Sequence, residues 1–234
     1  MESLTTTCLQ ALTLLISGDR DLWVIIGVSC RVSLAAIGLS VIPAVLLGLY
    51  LAMVPFPGRW VVVAVLNALM AVPTVVVGLT LYLLLSRSGP LGEWQLLFTQ
   101  PAMVIGQMLL AFPVIVCMSH AAFQALDKRA WETSRMLGAS FGKAILTLMN
   151  EARFALTAAI VVAFGRIIAE VGCSMMIGGN IMNFTRNIPT AIALETSKGA
   201  FAQGVALGLV LLILALVLNV ALALLRGRGQ LQVS

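Results

Sequence analysis

Long apolar stretches separated by short polar ones make up most of the chain. Five of them are long enough, at about 20 residues or more, to cross the hydrocarbon part of a membrane. They are residues 22–54, 60–85, 102–126, 154–177 and 201–225. The pattern therefore predicts an all-α integral membrane protein with about five transmembrane helices.

The first of these stretches is longer than one membrane thickness requires. We expect its first third to lie at the membrane interface and the crossing to begin near Arg31, whose long side chain can reach outward. The residues before it place Leu4, Cys8 and Leu12 on one helical face, which predicts a short interfacial helix that ends at residues 18–21. The chain then divides into an interfacial helix (1–20), a membrane domain (21–226) and a cytoplasmic tail (227–234).

Composition supports a membrane protein without chemistry of its own. Hydrophobic residues make up 61% of the chain and charged residues 10%, against about 25% charged in soluble domains. The net charge of +5 lies mostly in loops and does not indicate nucleic acid. The sequence has no GxxxxGK[ST] loop, no HExxH and no paired cysteines, so we expect no ATP hydrolysis, no metal and no cofactor in this chain.

Lys and Arg are more frequent in one set of connecting loops than in the other. The most basic connection is residues 127–153, and the C-terminal end carries Arg226 and Arg228. Because basic loops remain in the cytoplasm, we expect a multi-pass protein of the plasma membrane with its N-terminus outside and its C-terminus inside.

Several residues inside the apolar stretches are unusual for such a setting. Pro73 and Pro113 predict helix kinks, which serve either packing or a hinge in a pathway. His120 is interpreted as an interface anchor or a helix–helix hydrogen bond rather than a metal ligand. Arg166 and Glu170 are four residues apart, so they predict a pair on one helical face. That pair either fixes helix packing or forms a polar constriction in a translocation path.

The segment after the fourth stretch is rich in hydrogen-bond donors. Such donors suit an anion, because an oxyanion carries only acceptor oxygens. In a permease we expect these residues to form an anion path or gate, and ordinary interfacial anchoring or contact with an external binding protein is the alternative. The donor residues are Asn180, Asn183, Thr185, Arg186, Asn187 and Lys198.

The basic connection also carries a motif. Glu132, Thr133 and Ser134 followed by Gly138 resemble the EAAxxxG loop of ABC importer permeases, although Asn150 and Glu151 stand where that family usually has Leu-Pro. The resemblance implies a coupling helix that docks on a separate cytoplasmic ATPase and ends at Gly138, where glycine accepts a left-handed backbone. The implied coupling residues are Trp131, Glu132, Thr133, Ser134, Arg135 and Gly138.

Two further stretches, residues 74–92 and 193–199, are similar to the tungstate-type permeases of bacteria, which are neighbours of the molybdate permeases. The resemblance implies the type I importer permease fold, a homodimer, an ATPase subunit and an extracytoplasmic substrate-binding protein, all assembled in the lipid of the bacterial inner membrane. Molybdate or another oxyanion is the alternative solute. A self-sufficient secondary transporter or a membrane scaffold is the alternative from another class.

Overall fold

The computed structural model describes residues 9, 13, 17–126, 136, 138 and 140–230, with only the backbone for residues 218, 219 and 221–230. All regular secondary structure in these residues is helical, which confirms the all-α prediction. The helices are α1 (Arg20–Met53), α2 (Arg59–Ala71), α3 (Thr74–Leu85), α4 (Gln100–Gln124), α5 (Phe141–Glu151), α6 (Arg153–Ile168), α7 (Gly172–Gly178), α8 (Ile188–Ser197) and α9 (Phe201–Gln230), with a 3-10 turn at Gly92–Trp94.

Helix α1 begins earlier than the sequence pattern suggests. The Asp19 side chain accepts a hydrogen bond from Leu22 N at 3.0 Å and caps the helix, and Asp21 lies in its first turn. Negative charges are favourable there because they face the positive end of the helix dipole. Residues 20 and 21 therefore open α1 instead of ending the preceding segment. The predicted interfacial helix lies largely outside the described residues.

The position of Arg31 supports a crossing that starts partway along α1. Arg31 lines a cavity of about 430 Å³ together with Gln100 and Pro101, the first two residues of α4. Arg31 is therefore level with the start of a neighbouring spanning helix. From Arg31 to Met53, α1 is about 34 Å long at 1.5 Å per residue, close to the thickness of the hydrocarbon layer at about 30 Å.

The second predicted span is two helices rather than one kinked helix. The axes of α2 and α3 differ by 97°. Pro73 immediately precedes α3, a position where its missing N–H is not needed. The expected kink at Pro73 is thus a complete break. Helix α4 continues through the buried Pro113, and the kink expected there stays a prediction.

The fourth predicted span is also interrupted. Helix α6 ends at Ile168 and α7 begins at Gly172, so the expected continuous helix over 154–177 is wrong. On the other side, α5 meets α6 at an angle of 66°. Two helices, α1 and α4, are each long and apolar enough to span, and the two bent pairs pass the same test together. With the apolar part of α9, these elements account for the five predicted spans.

Helix α4 lies at the centre of the bundle and packs against α1, α2, α6 and α7. The packing against α1 is very close, since a Cβ on Gly48 would lie 2.8 Å from Ser119 Cβ. A second, smaller apolar cluster joins the start of α1 to α8 and α9 through Leu22, Ile188 and Leu207. We call it the outer cluster, and it holds the first third of α1 against the rest of the protein.

Candidate functional site

Two interrupted spans meet at their interruptions. Helix α2 gives way to α3 at residues 72–73, and α6 gives way to α7 at residues 169–171. A Cβ built on Gly172 would lie 2.6 Å from Val75 Cγ2 and 3.2 Å from Val75 N, so the two backbones are in contact. Non-helical backbone at membrane depth is stable only inside protein or beside water. The double break, as we call this site, comprises residues 70–75 and 166–173.

Arg166 binds one of the helix ends at the double break. Its Nη2 donates to Met70 O at 2.9 Å. Met70 lies in the last turn of α2, where carbonyl groups have no partner within the helix. A cation at this end also faces the negative pole of the helix dipole, an interaction of about 0.3–2 kcal/mol. Arg166 therefore links α6 to the end of α2.

Glu170 accepts a hydrogen bond from a backbone amide at the start of a helix. Its Oε1 accepts from Cys173 N at 3.1 Å, in the first turn of α7. The residue is buried, with 9% of its surface exposed. A carboxylate that accepts from a first-turn amide satisfies a free donor and faces the positive pole of the helix. Glu170 therefore stabilises the start of α7.

The predicted ion pair between Arg166 and Glu170 is wrong. The spacing of four residues implies pairing only if one helix contains both, and α6 ends at Ile168. Each side chain instead binds a backbone group of a different helix end. Among the residues that the structure describes, the ion pair present is the one between Lys198 and Glu195.

Gln107 completes the site and was missed by the sequence interpretation. From the middle of α4 its Nε2 donates to Ile167 O at 3.2 Å, in the last turn of α6. Its Oε1 is buried and has no partner in the described part of the protein. The available signal was a lone amide inside an otherwise apolar span, because polar residues at such depth usually serve a function or an interhelical hydrogen bond.

The double break combines a polar interior with an apolar opening. Side chains from both interruptions, Val75 and Val171, are exposed on the surface of the single chain. Its hydrogen bonds join helix ends that pack against α4, since Ile167 and Cys173 belong to the core cluster. The described residues contain no group of three or more His, Cys, Asp or Glu that could hold a metal ion.

The predicted donor set after α7 is only partly available to a ligand. Thr185 and Asn187 are buried and serve the fold. Thr185 Oγ1 donates to Gly178 O and accepts from Ile181 N, while Asn187 forms a capping box with Thr190 at the start of α8. The expectation that these two side chains face an anion is therefore wrong.

The remaining donors differ in what they contact. Lys198 pairs with Glu195 at 3.0 Å, so much of its charge is balanced. Asn183 is exposed at the tip of the loop.

Two donors have a buried polar atom without a partner. Asn180 donates to Thr190 O at 3.4 Å, and its Oδ1 is buried without a partner in the described residues. Arg186 is half-buried, and its Nε likewise has no partner there. Arg186 Nε is thus an unused donor, whereas the unused atom of Asn180 is an acceptor oxygen.

Most of the predicted coupling helix, residues 131–135, lies outside the described residues. The structure does describe Gly138, which has a φ of 81°, the left-handed conformation that glycine adopts without strain. Met136, two residues before it, is exposed. The segment then continues into α5 and turns by 66° into α6. The coupling motif is therefore connected through two short helices to the double break.

Comparison with protein families gives a match over most of the chain. The family described as "Binding-protein-dependent transport system inner membrane component" matches residues 44–228. Among solved structures, the chain resembles inward-facing conformations of the MetNI methionine ABC transporter, with a TM-score of 0.65 and 18% identity, over 89% of this chain and 94% of that one. At this identity the likeness shows the fold alone.

Individual relatives are more similar. A tungstate uptake system permease protein of Campylobacter jejuni is 45% identical over 66% of this chain and 65% of its own length, so the match spans slightly less than two thirds of that relative. A probable anion ABC transporter permease protein of Haloferax volcanii is 40% identical over 90% of this chain and 94% of its own. A tungstate uptake system permease protein of Peptoclostridium acidaminophilum is 36% identical over 94% and 96%.

Proposed function

The chain belongs to the family of inner membrane components of binding-protein-dependent transport systems, and from this membership we propose that it carries tungstate into the cell as the permease subunit of an ABC importer. The proposal that tungstate is the solute rests on the similarity to two tungstate uptake permeases, one of them over nearly the full length. A multi-pass protein of the membrane with the type I importer fold follows from the same comparisons.

The double break is the proposed constriction of the translocation path. Tungstate is a dianion with only acceptor oxygens, so it needs donors and positive charge where the lipid is excluded. Arg166 brings five N–H donors and uses Nη2 on Met70 O. Exchange of that carbonyl for a passing anion would release the end of α2 and couple translocation to a change in the break itself.

The outer end of the path is proposed to lie at the loop between α7 and α8. Arg186 offers an unused donor there, and Asn180 lies in the same loop. A positively charged group at an entrance raises the local concentration of an anion. Contact with the substrate-binding protein is the alternative role for this loop, and both roles require the loop to face outward.

The assembly is proposed from the family. It consists of two copies of this chain, a cytoplasmic ATPase that docks at residues 131–138, and an extracytoplasmic substrate-binding protein. This chain would be its non-catalytic membrane part, with the N-terminus outside and the C-terminus in the cytoplasm. The basic connection and the basic C-terminal end support this orientation.

The decisive experiment reconstitutes the chain with its ATPase and binding protein in liposomes and measures ATP-driven uptake of tungstate. We expect uptake that requires both partners and that excess sulfate does not suppress. An ATPase without its P-loop lysine is the control. A preference for molybdate or sulfate would contradict tungstate as the solute but would leave the assignment as an ABC importer permease unchanged. Uptake without the ATPase would contradict the importer itself and restore the secondary-transporter alternative.

The alternative from another class has lost its support. The matched family and the relatives are permeases of binding-protein-dependent or ABC systems rather than self-sufficient carriers or scaffolds. Molybdate remains the nearest competing solute, because it has the same charge as tungstate and nearly the same size.

A further inference from the structure

A cavity of about 670 Å³ opens between the start of α2 and the end of α4, and none of its lining residues belongs to the double break. Arg59 and Trp60 line it at the first turn of α2, and Asn67 lines it two turns further along. His120 and Gln124 line it from the last part of α4. The proposed transport mechanism uses none of these residues.

Arg59 is held in this cavity by a hydrogen bond between helices. Its Nη2 lies 3.2 Å from His120 Nε2. A guanidinium can only donate, so His120 Nε2 is the acceptor and the imidazole proton is on Nδ1. This confirms the helix–helix hydrogen bond expected for His120. The contact fixes the position of the guanidinium and leaves its other N–H donors for a ligand.

The lining carries a positive charge without a matching negative one. Among the described residues that line the cavity, Arg59 is the one with a formal charge, and none is a carboxylate. Nor does a carboxylate oxygen of the described residues lie within 4.0 Å of the guanidinium. The indole N–H of Trp60 and the amide of Gln124 are further donors. A cavity of this kind favours a group that is negatively charged and rich in acceptor oxygens.

The apolar part of the cavity lining comprises Phe56, Val63 and Ala64. In the turn before Arg59, Gly58 has a φ of 84° and Phe56 stacks on Tyr50 with ring centroids 5.7 Å apart. Trp60 is 76% exposed, as is usual for tryptophan at a membrane surface. Val63 and Ala64 continue the lining along α2, away from the turn. The charge thus lies at the first turn of α2, and Val63 and Ala64 form an apolar wall between it and Asn67.

We infer that this cavity binds a tetrahedral phosphate-type anion, namely the phosphodiester of a phospholipid in the cytoplasmic leaflet. The phosphate contacts Arg59 and Trp60, and the first part of an acyl chain lies along Val63 and Ala64. Basic pockets between spanning helices on the cytoplasmic side suit such headgroups. The inference needs only one part of the proposed function, the placement of the turn at residues 54–58 on the inner side.

The test measures lipid binding, not transport. The full-length chain is purified with its ATPase in mild detergent, and bound phosphatidylglycerol is counted by native mass spectrometry during a lipid titration. Arg59→Gln is compared with Arg87→Gln, a control that removes an exposed arginine of the opposite loop, and with Arg59→Lys, which keeps the charge. Unchanged elution volume and melting temperature identify folded variants.

We expect Arg59→Gln to weaken lipid binding about tenfold, the value of one charge-assisted hydrogen bond. Arg87→Gln should bind as the unmodified chain does, and Arg59→Lys should recover part of the loss. Equal binding by Arg59→Gln and Arg87→Gln would overturn the site. Displacement of the lipid by excess tungstate or inorganic phosphate would overturn the lipid as ligand and assign the cavity to a free oxyanion. None of these outcomes depends on which solute is transported.

Discussion

At the scale of single residues, the polar side chains of the double break act on backbone groups. Arg166 and Gln107 bind the last carbonyl groups of α2 and α6, and Glu170 binds a first amide of α7. A buried carbonyl or amide without a partner costs about 1–3 kcal/mol. These three residues therefore make the interruptions possible within an apolar bundle, and their loss would change the shape of the site before it changed its charge.

The charge-swapped variant tests this role. Arg166→Glu combined with Glu170→Arg should not restore the uptake that either single change abolishes, because each swapped charge meets the wrong pole of a helix. Arg166→Lys should retain part of the activity. Uptake and protein amount are measured for the two single variants and the double. A double variant close to the unmodified protein would show that the two side chains pair with each other after all.

At the scale of elements, glycine decides how closely the interrupted spans approach. Gly172 lies against Val75, and Gly78 lies against Cys173, since a Cβ on Gly78 would be 2.8 Å from Cys173 Cα. Small residues of this kind let membrane helices pack backbone to backbone. The contact between α3 and α7 thus depends on two positions that no larger side chain can occupy without displacing a helix.

A matched pair of substitutions tests the contact. Gly172→Ala should destabilise the protein by about 1–3 kcal/mol, the usual cost of overpacking, and should reduce uptake. Gly165→Ala, in the same span, is the control, because nothing lies within 4 Å of a Cβ there. Thermal melting in detergent and uptake are measured together. Equal losses of stability and uptake at the two positions would show that the close contact of Gly172 with Val75 is not their cause.

The sequence was more informative about the apolar helices than about the breaks within them. The apolar stretches correctly predicted where the long apolar helices and bent helix pairs lie, because hydropathy averages over many residues. The breaks at residues 72–73 and 169–171 were hidden, since they depend on contacts between segments about a hundred positions apart in the chain. Pro73 and Pro113 looked alike in sequence, yet only Pro73 coincides with a break. Neighbouring helices, not the proline itself, determined that difference.

At the scale of the whole molecule, α4 is the central helix against which several other helices pack. It packs against α1, α2, α6 and α7, so both interruptions rest on one continuous helix. The contacts of α4 with α1 at Gly48 and with α7 at Gly106 are both very close.

Substitutions in the predicted coupling helix, residues 131–138, test its contact with the ATPase. Glu132→Lys should abolish ATP-driven uptake and co-purification with the ATPase while leaving membrane insertion intact. Gly138→Trp should do the same, because a φ of 81° is unfavourable for any residue with a side chain. Glu93→Lys is the matched control, because it reverses the charge of an exposed glutamate in the loop after α3. Normal uptake by both coupling variants would refute the coupling assignment.

The bend between α2 and α3 has a consequence for biogenesis. These helices have 13 and 12 residues, about 20 Å and 18 Å at 1.5 Å per residue, and neither alone crosses a layer of about 30 Å. The insertion machinery reads hydropathy over a whole segment, so we expect residues 59–85 to enter the bilayer as one straight span. Arg166 and Gly172 follow residue 85 by 81 and 87 positions and leave the ribosome later. We therefore expect the bend to form only when the fourth span arrives, and a chain truncated before residue 166 to hold its second span unbent.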